Sequence, residues 1–575
     1  MAKKDKAMEN QRLARDVVAK FTHSLTWRMP FKNKWDRYYK MYRSILDDTN
    51  YPWQSNIWVP YSFSTVETLV PRLVANRPEI DIMPREQADI DYAELQSNLI
   101  DWQWEVMDMD MIMPDIAKTM CIYGTAIAKV SWRRESQKVV KDVEVDEDNP
   151  ELGTVEEEGE EYVYDNPSVE NVDLVDFFWD PRGVDIESCR WIIHRTYRTQ
   201  EHLEALEKQK IYKNTKLVAD TTFTQSDDDK NVRRGALGVA VPEELKDTEA
   251  GKKIVELLEY WEDDRVVVIA NRSVVIRDEV NPYKKCGKPF VRFVDQSIPH
   301  EFLGMGEIEP IETLQYELNA RRNQRMDNVT LILNRMWKLK NGSGVDENEL
   351  VSDAGGVVHV DDMNAIEPFE MTDVTASSYN EETIIKGDIQ QTTGVSDFTK
   401  GVGGQDALAN DTATGISLIQ EAGNARFRLK VQNIEAGIRD IGRMMVSLNE
   451  QYIDEEKAIR VLGDKGNEWI TIRPEDMKGN LDVKVEAGST LPSNEAINRK
   501  QTMEAYQLLA GDPMINQTEL KRMVLKAILP QADPDKLVLE TTPTPSTMLP
   551  DQSMSLTGPM TQEDMLASAM AQPKI

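Results

Sequence analysis

Cysteine is nearly absent from this chain: Cys121, Cys189 and Cys286 stand far apart and odd in number among 575 residues. That count excludes a disulfide framework and suits reduced thiols in a cytoplasm. Histidine is almost as scarce. His23, His194, His202, His300 and His359 are scattered, and neither an H-E-x-x-H nor a C-x-x-C spacing exists to hold zinc. No stretch approaches the roughly 18 apolar residues of a membrane span. The opening Met1-Ala-Lys-Lys-Asp-Lys6 has no apolar core behind it, so a soluble product without membrane contact is expected. Positive charge is in deficit, with 68 Lys plus Arg against 100 Asp plus Glu and a formal net charge of −32. Gripping DNA by phosphate neutralisation needs a basic surface, which excludes a sequence-reading binder or a clamp. Any contact with a duplex must be loose, and an acidic wall would let it slide.

Catalytic signatures are missing as well. Gly401-Val-Gly-Gly404 lacks the Lys-Ser/Thr that completes a phosphate loop, so its glycines read as backbone freedom. Asp361-Asp362 could hold Mg²⁺ in principle, but adjacent carboxylates are expected by chance in so acidic a chain. The expectation is a protein that is not an enzyme and has no catalytic residue, cofactor or metal.

Long helical patterns are what the chain does have. From Thr412 to Tyr452, the positions Ile416, Ile419, Gly423, Phe427, Val431, Ile434, Ile438, Ile441, Met445, Leu448 and Tyr452 recur in steps of three and four, one stripe of a helix. Roughly 40 residues at 1.5 Å each would span about 60 Å. Asp411 or Thr412 supplies an N-cap, and the polar, glycine-rich segment from Phe398 to Asp411 precedes it. An earlier run, Glu307 to Trp337, places Ile308, Ile311, Leu314, Leu318, Val329, Ile332 and Met336 near one stripe, interrupted by Arg321, Arg322 and Arg325. Those arginines have two readings, a channel-facing phosphate contact or pairing with carboxylates of a neighbouring helix, and the acidic balance favours pairing. Between the long runs lies a small insert: a turn at Asn341-Gly342, short strands at Gly355–Val360 and Ile366–Phe369, and then a helix over Ser377–Thr393.

Elsewhere, helices are expected over residues 8 to about 48, with Trp27, Trp35, Tyr38, Tyr39 and Tyr42 as a packing cluster, and again over 62–128. Asp142 to Asp165 carries twelve carboxylates and neither Lys nor Arg, which predicts a solvated surface loop or ribbon. Strands are expected at Val172–Trp179 and Trp191–Thr196. A hairpin is expected from Val266–Ala270 and Ser273–Ile276, turning at Asn271. Residues 227–253 read as a polar insertion and those past Leu537 as a disordered tail.

The chain resembles the portal proteins of tailed bacteriophages, particularly those of short-tailed phages. The resemblance rests on Phe302-Leu-Gly-Met-Gly-Glu-Ile-Glu309, on Gln315, Asn319, Asn323 and Asn328, and on Thr412-Ala-Thr-Gly415 with Arg426. Trp35-Asp-Arg-Tyr-Tyr39, Asn56-Ile-Trp-Val-Pro60, Pro71-Arg-Leu-Val-Ala-Asn76, Tyr123-Gly-Thr-Ala126, Asp176-Phe-Phe-Trp-Asp-Pro181, Trp191 and Val485-Glu-Ala-Gly-Ser-Thr490 extend it.

The resemblance implies an α+β fold that is mainly helical. In it, 1–306 would form the N-terminal wing region, 307–337 and 376–397 the two stem helices, and 338–375 the clip. A tunnel loop would follow at 398–411, the long wing helix and wing strands at 412–492, a helical crown at 493–537 and a tail at 538–575. It implies a ring of about twelve copies at the unique capsid vertex, a passive channel for double-stranded DNA during packaging and ejection. Implied partners are the major capsid protein, the terminase large subunit and a tail adaptor. The protein would be a virion component assembled in the host bacterial cytoplasm. Candidate channel residues are Lys400, Gly401, Gly403, Gly404, Gln405, Arg321 and Arg325. Candidate clip-interface residues are Asn341, Gly342, Val358, His359 and Phe369. Ring assembly also follows from the apolar stripes, which one subunit is expected to lack the helices to cover. The alternatives are another ring-forming virion adaptor that conducts no DNA, and a metal-dependent nuclease.

Overall fold

Buried positions of the first helix, α1 (Ala2–Tyr42), fall at Ala14, Val17, Phe21, Ser24, Arg28, Trp35, Tyr38 and Met41, steps of three and four with one gap of two turns, which keep one stripe on one side. The computed structural model describes residues 2–46, 51, 53–86, 89–144, 154–219, 248–249, 252–334, 336–342, 344–350, 357–370, 375–395, 413–454, 456–463, 466–477, 481–485, 495–510 and 517–528. It divides into two units, Met1–Pro492 and Ser493–Ile575.

In the first unit α1 is followed by α2 (Tyr61–Leu73), β1 (Ile80–Pro84), α3 (Ile90–Val106), α4 (Met109–Tyr123), β2 (Thr125–Glu144), β3 (Thr154–Val172), β4 (Phe177–Trp179), β5 (Ile192–Thr199), α5 (Gln200–Lys208) and α6 (Thr215–Ala219). Next come β6 (Thr248–Glu249), β7 (Lys252–Trp261), β8 (Arg265–Ala270), β9 (Val274–Val280), β10 (Phe290–Val294) and α7 (Glu312–Leu333). β11 (Trp337–Leu339), β12 (Ile366–Pro368), α8 (Thr375–Thr393), α9 (Ala413–Tyr452), β13 (Lys457–Gly463), β14 (Gly466–Ile472) and β15 (Leu481–Val485) complete it. The second unit contains α10 (Glu495–Leu509) and α11 (Gln517–Ile528). Helices dominate and every sheet is antiparallel, so the fold is α+β.

Three sheets build the body of the first unit: β4-β5-β7-β8-β9, with β6 beside β7; β10-β2-β3; and β1-β15, whose strands come from opposite ends of the unit's sequence. The main core gathers Trp104 of α3, Met113 and Met120 of α4, Ile127 of β2, Phe293 of β10 and the α9 stripe. That stripe runs as the sequence predicts. Phe427, Val431, Ile434, Ile438, Ile441, Met445 and Leu448 are all buried, and Tyr452 stacks on Trp132. These side chains are covered within one subunit by β10, β15, α2 and α3. The expectation that α9 needs neighbouring copies to bury this part of its stripe is therefore corrected: strands, which the helical pattern does not announce, supply the cover.

Other expectations shift in extent. The helix expected over 307–337 starts at Glu312, behind one 3-10 turn (Glu309–Ile311) containing Pro310, and ends at Leu333; Trp337 is already in β11. Residues 357–360 do not form the expected strand, because the His359 amide donates to the Glu349 carboxylate at 2.7 Å instead of entering a ladder. β12 pairs with Trp337–Leu339. Within 62–128 two stretches are strands: Ile80–Pro84, whose partner β15 lies far downstream, and the start of β2 at Thr125. The Val172–Trp179 strand is broken by a 3-10 turn at Leu174–Asp176, where the Asp173 carboxylate accepts from the Val175 amide. Acidic residues 142–144 and 154–165 lie in the β2–β3 ribbon. The β8–β9 hairpin turns at Asn271 and Arg272, both with positive φ (46° and 55°). Most of the 227–253 insertion and all of the tail past Leu537 fall outside the described residues.

Candidate functional site

α7 is polar where a helix of its length is normally apolar, and its amide side chains explain why. Gln315, Asn319, Asn323 and Asp327 recur every fourth residue, so they share one face and climb about 6.0 Å per step. An extended strap, residues 55–60, lies antiparallel along that face and runs into the first turn of α2. The amide of Ser55 donates to Asp327 Oδ1 (2.6 Å), Ile57 to Asn323 Oδ1 (2.8 Å), Val59 to Asn319 Oδ1 (3.0 Å) and Ser62 to Gln315 Oε1 (3.1 Å). Gln315 Nε2 returns a bond to the Val59 carbonyl (2.7 Å) and Asn323 Nδ2 one to Ile57 (3.2 Å). Alternate residues of an extended chain advance about 6.6 Å. The near match with four helical residues lets one ladder satisfy a strand-like segment that has no sheet to join. Pro60, with no N–H to offer, falls where the strap passes into α2.

An adjoining face of α7 meets α8. Ile311, Leu318, Ile385 and Ile389 form a small buried cluster, and Val59 of the strap packs on it. Farther along, Arg321 pairs with Glu381 (3.0 Å), and Arg322 (3.1 Å) and Arg325 (2.5 Å) both reach Glu382, which Lys386 also contacts at 2.7 Å. Arg325 is buried, with its guanidinium 4.0 Å from the Tyr379 ring centre. Burial acts to raise the Glu382 carboxyl, but Lys386 and Arg325 outweigh it and hold the group down at about 2. Helix-to-helix pairing is thus what the structure records for these arginines, and Arg321, still half exposed, is the most open of the three.

The residues proposed for the clip lie just past α7. Asn341 and Gly342 make the turn after β11, with Gly342 at φ 79°. The Phe369 amide bonds to the Met336 carbonyl, and Lys338 Nζ stands 5.3 Å from its ring. His359 is exposed and pairs through Nδ1 with Glu349 at 3.1 Å, while Val358 is partly exposed. Lys400, Gly401, Gly403, Gly404 and Gln405 lie outside the described residues, as do the N-cap candidates Asp411 and Thr412.

The root of α7 is a crossing of two chain segments. Gly124 ends α4 in a left-handed conformation (φ 85°), and a Cβ on it would lie 2.2 Å from the Gly304 carbonyl oxygen. A Cβ on Gly306 would lie 2.7 Å from the Cys121 carbonyl. Only glycine permits this approach. The motifs Tyr123-Gly-Thr-Ala126 and Phe302–Glu309 therefore meet as one packed joint. Lys34 and Arg37 at the end of α1 brace it, each 2.6 Å from its partner, Glu309 and Glu312. Among the described residues no group of three or more His, Cys, Asp or Glu is placed to hold a metal, and no helix is long and apolar enough to cross a membrane.

A family model described as phage SU10 portal protein matches residues 31–548. The chain belongs to this portal family. The match covers the strap, α7, α8, α9 and the glycine joint together, and membership gives a structural role as a phage virion component. Sequence reasoning named Gln315, Asn319 and Asn323 only as marks of resemblance and missed their work. It overlooked Asp327, Glu381 and Glu382. The fourfold spacing of amide and carboxylate side chains from Gln315 to Asp327 was the available signal; the i, i+4 spacing marks Lys386 as a partner of Glu382, whereas nothing local announces Arg322 and Arg325.

Proposed function

We propose that this portal protein assembles as a closed ring of twelve copies at the unique capsid vertex and conducts double-stranded DNA passively during packaging and ejection. The family match from residue 31 to 548 carries this reading. In it, α7 and α8 are the paired stem helices, residues 338–375 the clip that receives the terminase large subunit and later a tail adaptor, and α9 the long wing helix. Residues 398–411 are the tunnel loop, residues 1–306 with the strands after α9 the wing, and 493–537 the crown. The net charge of −32 supports a conduit that does not grip its cargo. The ion pairs between α7 and α8 support a stem whose cations are spent on cohesion, leaving Lys400 as the foremost candidate for passing contact with phosphate. The motor is external, so the purified protein neither hydrolyses ATP nor cuts DNA.

Averaged electron-microscope views and native mass measurement test the ring. Twelve copies around an opening wide enough for duplex DNA are expected, and a monomer at micromolar concentration and physiological salt would count against it. Replacing Gly401–Ala409 by a Gly-Ser linker tests the channel. Ring formation and thermal stability should persist while packaging or genome retention fails; intact packaging would remove the loop from the channel.

A further inference from the structure

Lys430 is a lysine in the wrong solvent. It lies on the buried side of α9, with its ammonium 2.8 Å from Asp295 Oδ1 and in contact with Glu307 Oε1. Both carboxylates are almost fully buried, and Asp295 Oδ2 has no hydrogen-bond partner. Asp295 follows directly on β10; Glu307 follows the glycine joint and precedes α7. Asn433, one turn along α9, donates to the Asp295 carbonyl (3.0 Å), and Gln296 approaches Glu307 (3.3 Å). One cation on α9 thus ties together the two segments that lead into the root of α7.

Stability alone does not account for such a cluster. Two carboxylates share one cation where hydration is lost, and burial pushes Asp295 above the ordinary carboxylate range even against Lys430. Apolar side chains of similar volume commonly stabilise a core as well as a buried ion triad does, or better. What an apolar contact lacks is direction. Ile434, Ile438 and Ile441 repeat at helical spacing and offer similar surfaces one turn apart, whereas an ammonium held by two fixed oxygens has one satisfactory position.

We propose that Lys430, with Asp295 and Glu307, is a positioning latch that fixes the direction of α9 relative to the root of α7. The consequence for the channel rests on the portal reading: there α7 opens the stem and α9 is the wing helix, so the latch sets the angle between stem and wing helix.

Spin labels on exposed positions of the two helices, Ala320→Cys and Arg443→Cys in a Cys286→Ser background, report the angle within one chain when labelled copies are diluted with unlabelled ones. Lys430→Met alone should lower the melting temperature, because two buried carboxylates lose their cation. The triple variant Lys430→Met, Asp295→Asn, Glu307→Gln should recover the melting temperature, yet give a distance distribution about twofold broader than the parent or split in two. A triple variant with the parent's single narrow distance overturns the latch. Should the triple variant fail to fold, Asp295→Asn alone, which keeps the Lys430–Glu307 pair, decides the matter: broadening supports the latch and an unchanged distribution overturns it. Because the distance is read within a chain, its outcome is separate from whether twelve copies form a ring.

Discussion

Around β2 and β10 the buried side chains are overwhelmingly apolar, with Ile127, Val130, Phe177, Phe290 and Phe293 meeting the α9 stripe in one cluster. Among the described residues the α7–α8 pair has a small apolar cluster, Leu318, Ile385 and Ile389 with Ile311 of the preceding turn, and is otherwise held by the amide ladder and by carboxylates facing arginines. An apolar core contributes more energy per side chain, about 1.5–3 kcal/mol on full burial, than a hydrogen bond's net 0.5–1.5 kcal/mol or so. The ladder contributes register, since a strap shifted by one residue would present carbonyls where amides are needed. Apart from the Lys430 cluster, the body is thus built for cohesion and the helix pair for alignment.

Substitutions can break this contrast, and the largest effect belongs to the body. Phe293 fills the space that Gly437 leaves on α9, where a Cβ would lie 2.3 Å from its ring. Phe293→Ala should destabilise the first unit by about 3–5 kcal/mol in denaturant titrations, through lost burial plus a cavity. In the ladder, Asn319→Leu leaves the Val59 amide facing an apolar side chain. The expected cost is about 1–3 kcal/mol, with faster amide exchange confined to residues 55–62 and the adjoining turns of α7.

A third test uses acid. Glu382 is held near 2, below its ordinary 4.5, so its contribution is complete above about 4.5 and is lost as pH falls through about 2. Glu382→Gln should lower the melting temperature at pH 7 and flatten the melting-temperature profile between those limits. A parallel acid profile for variant and parent would show that the pairs hold nothing together. The smallest effect is a gain. Gly387 lies inside α8, and a methyl group added there would meet nothing within 4 Å, so Gly387→Ala should stabilise by about 0.5–1 kcal/mol in melting of the isolated chain. If the same change impairs ring assembly, that face of α8 packs against another copy.

Persistent stripes made the helices legible from sequence: α9 from Ala413 to Tyr452, α8 to within two residues, and α1, which lies at Ala2–Tyr42, about six residues earlier at each end than the expected 8–48. The sequence by itself also determined the β8–β9 hairpin at Asn271, because local backbone conformation and spacing carry those signals without reference to anything distant. Tertiary structure alone decided what lies across from each pattern. β1 finds β15 at the far end of the unit's sequence, the Asn56–Pro60 motif proves to be the strap of the Gln315–Asp327 ladder, and the glycines at 124, 304 and 306 prove to be one crossing. The partners of Lys430, and the arginines that meet Glu382, were equally illegible. Charges in a chain of net −32 have many possible partners in the sequence, and only the packing of apolar surface selects which pair is desolvated and therefore matters.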